Sequence, residues 1–88
     1  MNSKNQKVLN ATFNDPVSPS IPWEAIEKLL LACGAEISEG NGSRVRVAIG
    51  EHLATFHRPH PQPVTDKGAV KSVRKFLMAA NITPDTIQ

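Results

Sequence analysis

Residues 44–58 constrain this chain more than any other stretch, because they write a β-hairpin whose register can be counted. Val45, Val47 and Ile49 fall on one face of an extended strand and Arg44, Arg46 and Ala48 on the other. This is the period of two of a half-buried strand. Gly50-Glu51 then supplies a two-residue turn with glycine first, the type II′ pattern, so a second strand runs back from His52 to Arg58. Counting outward from that turn pairs Ile49 with His52, Val47 with Ala54 and Val45 with Phe56 on the apolar side. On the polar side it pairs Arg46 with Thr55 and Arg44 with His57. Directly opposed residues have Cβ atoms about 5 Å apart, so a guanidinium stands beside an imidazole. That pair is the candidate working site.

Eighty-eight residues make one small domain, spanning 1–88, of a size that buries about 60 to 65% of its unfolded surface. An apolar share of 40%, with three Phe and one Trp, fits a globular chain and excludes a disordered one. The lone Cys33 excludes an intramolecular disulfide framework and makes the cytoplasm the default compartment. It sits in the last turn of an expected helix, where packing suits it better than nucleophilic work. No charge-free run is long enough to span a membrane. Leu30-Leu31-Ala32-Cys33 resembles a lipoprotein cleavage site, but Glu24, Glu27 and Lys28 interrupt the apolar stretch such a signal requires. Charge is unevenly placed: residues 1–39 carry three lysines against five carboxylates, net −2, and residues 40–88 carry seven cations against three carboxylates, net +4. The asymmetry points to a polyanion or an acidic partner meeting the second half, against the alternative of a merely solvated surface.

In chain order, Val8, Leu9, Thr12 and Phe13 space a short helix over 3–14, stopped by Asp15-Pro16. Residues 17–20 form a linker. Pro22 at the first helical position opens a stronger helix with Trp23, Ile26, Leu29, Leu30 and Cys33 on one apolar face and Gly34 as its end. Ala35 to Glu39 reads as a strand. A three-residue loop, Gly40 to Gly42, would set Ile37 opposite Val45, Ala35 opposite Val47, Glu36 opposite Arg46 and Ser38 opposite Arg44. Three prolines in Pro59-His60-Pro61-Gln62-Pro63 bar a central strand and predict a rigid loop. Thr65 or Asp66 caps a last helix through about Ala80, with Ala69, Val70, Val73, Phe76, Leu77 and Ala80 inward and Lys67, Lys71, Arg74 and Lys75 outward. Residues 83–88 are a tail. The fold class is therefore α+β, a three-stranded antiparallel sheet with helices on one face, in the order α-α-β-β-β-α. Without the first helix the order is that of double-stranded RNA-binding domains.

Gly42-Ser43-Arg44, the Pro59-His60-Pro61 that follows the third strand and the helix Lys67-Gly68-Ala69-Val70-Lys71-Ser72-Val73-Arg74 together resemble the HicA family, the toxins of HicA/HicB type II toxin-antitoxin pairs. The resemblance runs from Trp23 to Ile82. It implies a fold similar to double-stranded RNA-binding domains, metal-independent cleavage of mRNA without a cofactor, and a HicB-like antitoxin as partner. The family's catalytic histidine follows Gly-Ser or Gly-Thr at the start of the second strand, and here that position is Arg44. Such cleavage needs a base for the 2′-hydroxyl proton, an acid for the leaving 5′-oxygen and cations for the phosphorane charge. Arg44 is always charged and serves only the last role. His57 is the nearest proton carrier and His60 the second. Ser43, Arg46, Arg58, Lys67, Lys71 and Lys75 are the expected RNA contacts. A metal site is not expected, since His57-x-x-His60 with His52 brings no cysteine or carboxylate at ligand spacing. A noncatalytic RNA-binding module and a pure interaction protein remain the alternatives.

Overall fold

The structure, a computed structural model, describes residues 1–18, 20–59 and 64–85. Its elements are α1 (Ser3–Thr12), α2 (Trp23–Ala32), β1 (Glu36–Glu39), β2 (Arg44–Ile49), β3 (His52–His57) and α3 (Lys67–Ala79). The three strands form one antiparallel sheet in the order β1-β2-β3. This is the α+β arrangement expected from the sequence, with β1 starting one residue later and α1 ending at Thr12.

The β2–β3 register is the counted one, from Ile49 opposite His52 to Arg44 opposite His57, with Gly50 at φ +58° in the turn. The β1–β2 register requires a correction. Ile37 pairs with Val47, Ser38 with Arg46 and Glu36 with Ala48, two residues away from the expected pairing. The loop has three residues, but they are Asn41 to Ser43: Gly40 stays in the ladder, its N–H donating to the Arg44 carbonyl at 2.9 Å. The two glycines explain the choice. Gly42 takes the left-handed φ of +62° that the loop needs, whereas a Cβ on Gly40 would stand 3.1 Å from the Arg44 Cβ, so Gly40 suits the close cross-strand approach. A slip of two residues preserves side-chain parity, so every residue keeps its expected face.

The inner face of the sheet is covered by α2 and α3. Val45, Val47 and Phe56 meet Trp23, Ile26, Leu29 and Leu30 from α2 and Val70, Val73, Phe76 and Leu77 from α3, all buried. Phe56 is the hinge of this packing, with ring centroids 5.9 Å from both Trp23 and Phe76, the second at an edge-on 81°. Asp66 caps α3 by accepting from the Ala69 N–H at 2.7 Å. Pro22 caps α2 as the residue before the helix rather than its first member, and Cys33 follows its last turn. Cys33 is half-buried, and burial pushes its thiol above the usual range. No helix among the described residues is long and apolar enough to cross a membrane.

The first helix, α1, packs on α2 and α3, with Leu9 and Thr12 buried. This contact overturns the expectation that Arg74 points to solvent with the α3 lysines. Its Nε donates to the Thr12 carbonyl at 2.9 Å and its Nη2 to the Asn14 carbonyl at 2.7 Å, with the guanidinium 5.8 Å from the Phe13 ring centroid. The carbonyls at a helix C-terminus lack intrahelical donors and carry partial negative charge, so a cation reaching across from α3 satisfies both needs. Arg74→Met keeps the apolar stem and removes the donors. We expect it to cost about 1 to 2 kcal/mol and to speed amide exchange in α1 ahead of α2. Unchanged exchange in α1 would show that its packing alone holds it.

Candidate functional site on the outer face of the sheet

The outer face of the sheet is a ladder of three rows, because opposed residues on antiparallel strands share a face and same-face residues recur every second position. The first row is Arg44 with His57, the second Ser38, Arg46 and Thr55, and the third Glu36, Ala48 and Leu53. Arg44, Arg46, Thr55 and His57 are all exposed. Among the described residues neither Arg44 nor Arg46 is paired with a carboxylate. The first row is bounded at the end of the ladder by the Asn41–Ser43 loop, which the Arg58 N–H ties to the third strand by donating to the Ser43 carbonyl at 2.9 Å. Ser43 itself is exposed in that loop. A shallow groove of about 630 Å³ lies over the second and third rows. Leu53, the second residue of β3 and 78% exposed, lines this groove.

This arrangement can do two things chemically. Two permanently charged guanidiniums on one open face hold phosphates. An imidazole directly opposite one of them can take a proton and return it beside a bound phosphate.

The other expected contacts divide. Lys67, Lys71 and Lys75 are exposed on α3, which covers the opposite side of the sheet from Arg44 and Arg46. The chain thus carries two basic surfaces rather than one. His60 lies outside the described residues. His52 is exposed although it pairs with Ile49 on the apolar side, and it occupies the turn end of the hairpin, far along the strand from His57. No group of three potential metal ligands occurs among the described residues.

Arg58 departs furthest from its expected role. Continuing the alternation after buried Phe56 and exposed His57, it turns away from the outer face and is taken up by two carboxylates. Its Nε and Nη2 donate to Glu27 at 2.8 and 3.2 Å, and its Nη1 and Nη2 to Glu39 at 2.5 and 2.8 Å. The Trp23 indole N–H donates to the same Glu27 oxygen as the Arg58 Nε. The α2 spacing of Trp23 and Glu27, one turn apart, could have suggested that contact. Nothing local links either glutamate to Arg58.

The hydrogen bond from Arg58 holds the Glu39 carboxyl below its ordinary range, with the attraction of the same charge adding to it. A carboxylate with a depressed folded value stabilises the fold above the unfolded value and loses that contribution as pH falls through the folded one. The stability gap between wild type and Glu39→Gln is therefore expected to be open at neutral pH and to close as pH falls below the ordinary carboxylate range. Urea midpoints across that range check it, and a gap independent of pH would show that Glu39 acts through packing instead.

Comparison with known proteins yields one match. The profile of the family described as "HicA toxin of bacterial toxin-antitoxin" matches residues 23–82, leaving α1 outside it. No curated protein and no solved structure matches the chain.

Proposed function

Since the chain belongs to the HicA toxin family and is thereby the toxin of a toxin-antitoxin system, we propose that it is a metal-independent endoribonuclease that cuts mRNA in the cytoplasm and is neutralised by a HicB-like antitoxin. The observation that carries this reading is the pairing of exposed Arg44 with exposed His57 at the end of the ladder. His57 takes the proton of a ribose 2′-hydroxyl, and the freed oxygen attacks the adjacent phosphorus. The bond to the 5′-oxygen of the next nucleotide breaks, and that oxygen receives a proton from the imidazolium or from His60. The products are a 2′,3′-cyclic phosphate and a 5′-hydroxyl, so no metal, oxidant or second substrate is consumed. Arg44 stabilises the charge that grows on the phosphorane, and Arg46, one row along, holds a neighbouring phosphate. Ser43 adds a hydroxyl at the loop.

Incubation of the purified protein with a long single-stranded RNA in EDTA tests this. Cleavage that leaves cyclic phosphate ends is the expected result. Intact RNA bound with a steep salt dependence would replace catalysis with the second reading, a noncatalytic RNA-binding toxin, which the arginine at the family's histidine position favours.

The antitoxin blocks RNA most directly by covering the outer sheet face. Leu53 is then the apolar centre of the contact, ringed by Arg46, Thr55 and Glu36. Leu53→Glu should weaken the antitoxin complex by about 30-fold or more, the loss typical of a central interface residue, with the far-UV spectrum unchanged. Calorimetric titration measures it. Wild-type affinity in the variant, with exchange protection confined to the helices, would move the interface to the other side.

A further inference from the structure

The cluster around Arg58 has no place in the chemistry above, yet every bond it makes converges on the row that does. The Arg58 backbone N–H is joined to Ser43, the residue before Arg44, and Arg58 itself is the residue after His57. Its side chain ties the same point to α2 through Glu27 and to the end of β1 through Glu39. Glu27 is held in turn by Trp23, whose ring packs on Phe56, the residue before His57. His57 is thus bracketed by two anchored neighbours. The Arg44–His57 row is the last pair of the ladder, where strand ends open most readily.

Two roles compete for Arg58, phosphate contact and clamp, and the geometry decides between them. A guanidinium has five N–H donors, and four hydrogen bonds to Glu27 and Glu39 use most of them. Two carboxylates against one guanidinium leave the cluster with net negative charge, which repels a phosphate. The Arg58 side chain is only 32% exposed, and forked pairing of this kind holds geometry better than a solvated pair.

We propose, on the ribonuclease reading above, that Arg58 is a positioning residue: with Glu27 and Glu39 it locks the open end of the sheet so that His57 and Arg44 stay in one row, and it does not touch RNA. A displacement on the order of 1 Å at a reacting group costs up to about 100-fold in rate. The clamp therefore acts on kcat and leaves RNA affinity alone.

Single-turnover cleavage and RNA binding at several salt concentrations, in Arg58→Lys, Glu39→Gln and the Glu27→Gln/Glu39→Gln pair, test the proposal. The expected result is a fall of about 10- to 100-fold in kcat, with KM, Kd and salt slope as in wild type. Glu39→Gln alters one exposed carboxylate and serves where the others fail to fold. Tighter RNA binding once the glutamates are neutralised, together with a salt slope lower by about 0.7 in Arg58→Gln, would identify Arg58 as a phosphate contact and overturn the clamp. Should wild type and His57→Ala be equally inactive, the ribonuclease reading fails by itself. The clamp is then decided by NMR: loss of the cross-strand contacts between Arg44 and His57 in Glu39→Gln and Arg58→Lys upholds it, and their retention overturns it.

Discussion

Replacing His57 with alanine is expected to slow RNA cleavage by about 10²- to 10⁴-fold, the usual contribution of a positioned proton carrier, while RNA affinity changes little. The split follows from the division of labour on the outer face. On the proposed reading, Arg44 and Arg46 supply permanent charge that holds phosphate whether or not a base is present. On the same reading the imidazole supplies only the proton transfer. Added imidazole should restore part of the lost rate in His57→Ala, since the variant leaves open space on an exposed strand position rather than a collapsed core. A variant that cleaves as fast as wild type would move proton transfer to another group, with His60 next in line.

Arg44→Ala is expected to remove about 2 to 4 kcal/mol of transition-state stabilisation, a rate loss of roughly 30- to 1000-fold. Arg44→His is more telling, because it restores the residue that the family places there. In this chain the second strand presents a guanidinium and the third an imidazole directly across from it, and the proposed mechanism distributes the two roles between these two residues. Putting histidine at position 44 gives two imidazoles and no permanent charge at that row. We expect cleavage to fall. A rise in rate on Arg44→His would show instead that the site is a weakened version of the family's own and that His57 is incidental.

Which parts of this were legible without coordinates follows from how local each constraint is. The β2–β3 register follows from the sequence because a two-residue turn leaves no slack and because a one-residue slip would turn one strand over, burying either Arg44 and Arg46 or His57. The apolar spacing of α2 and α3 likewise selects Trp23, Ile26, Leu29, Leu30, Val70, Val73, Phe76 and Leu77, which are buried, and Cys33, Ala69 and Ala80 at the ends of those faces, which are only half-buried. Between β1 and β2 the sequence Gly40-Asn41-Gly42-Ser43 can close in more than one way with the same parity. The faces were readable and the pairing was not, since only the near contact of Gly40 with Arg44 and the φ of Gly42 separate the alternatives.

Periodicity tells on which side of an element a cation stands, but not what waits for it there. By pattern alone Arg46, Arg58 and Arg74 are equally basic, and the tertiary structure gives them three fates. Arg46 stays open on the outer face. Arg58 is bound by Glu27 and Glu39, 31 and 19 residues away, and Arg74 by carbonyls 60 and 62 residues away. Contacts at such separations leave no local pattern, because they depend on how the helices settle on the sheet and not on any spacing within an element. The sequence by itself determined the hairpin, the two core helices and the opposition of Arg44 to His57, each set by neighbours a few residues apart. Only the packing of α1, α2 and β1 around them decided which arginines remain free to meet a phosphate.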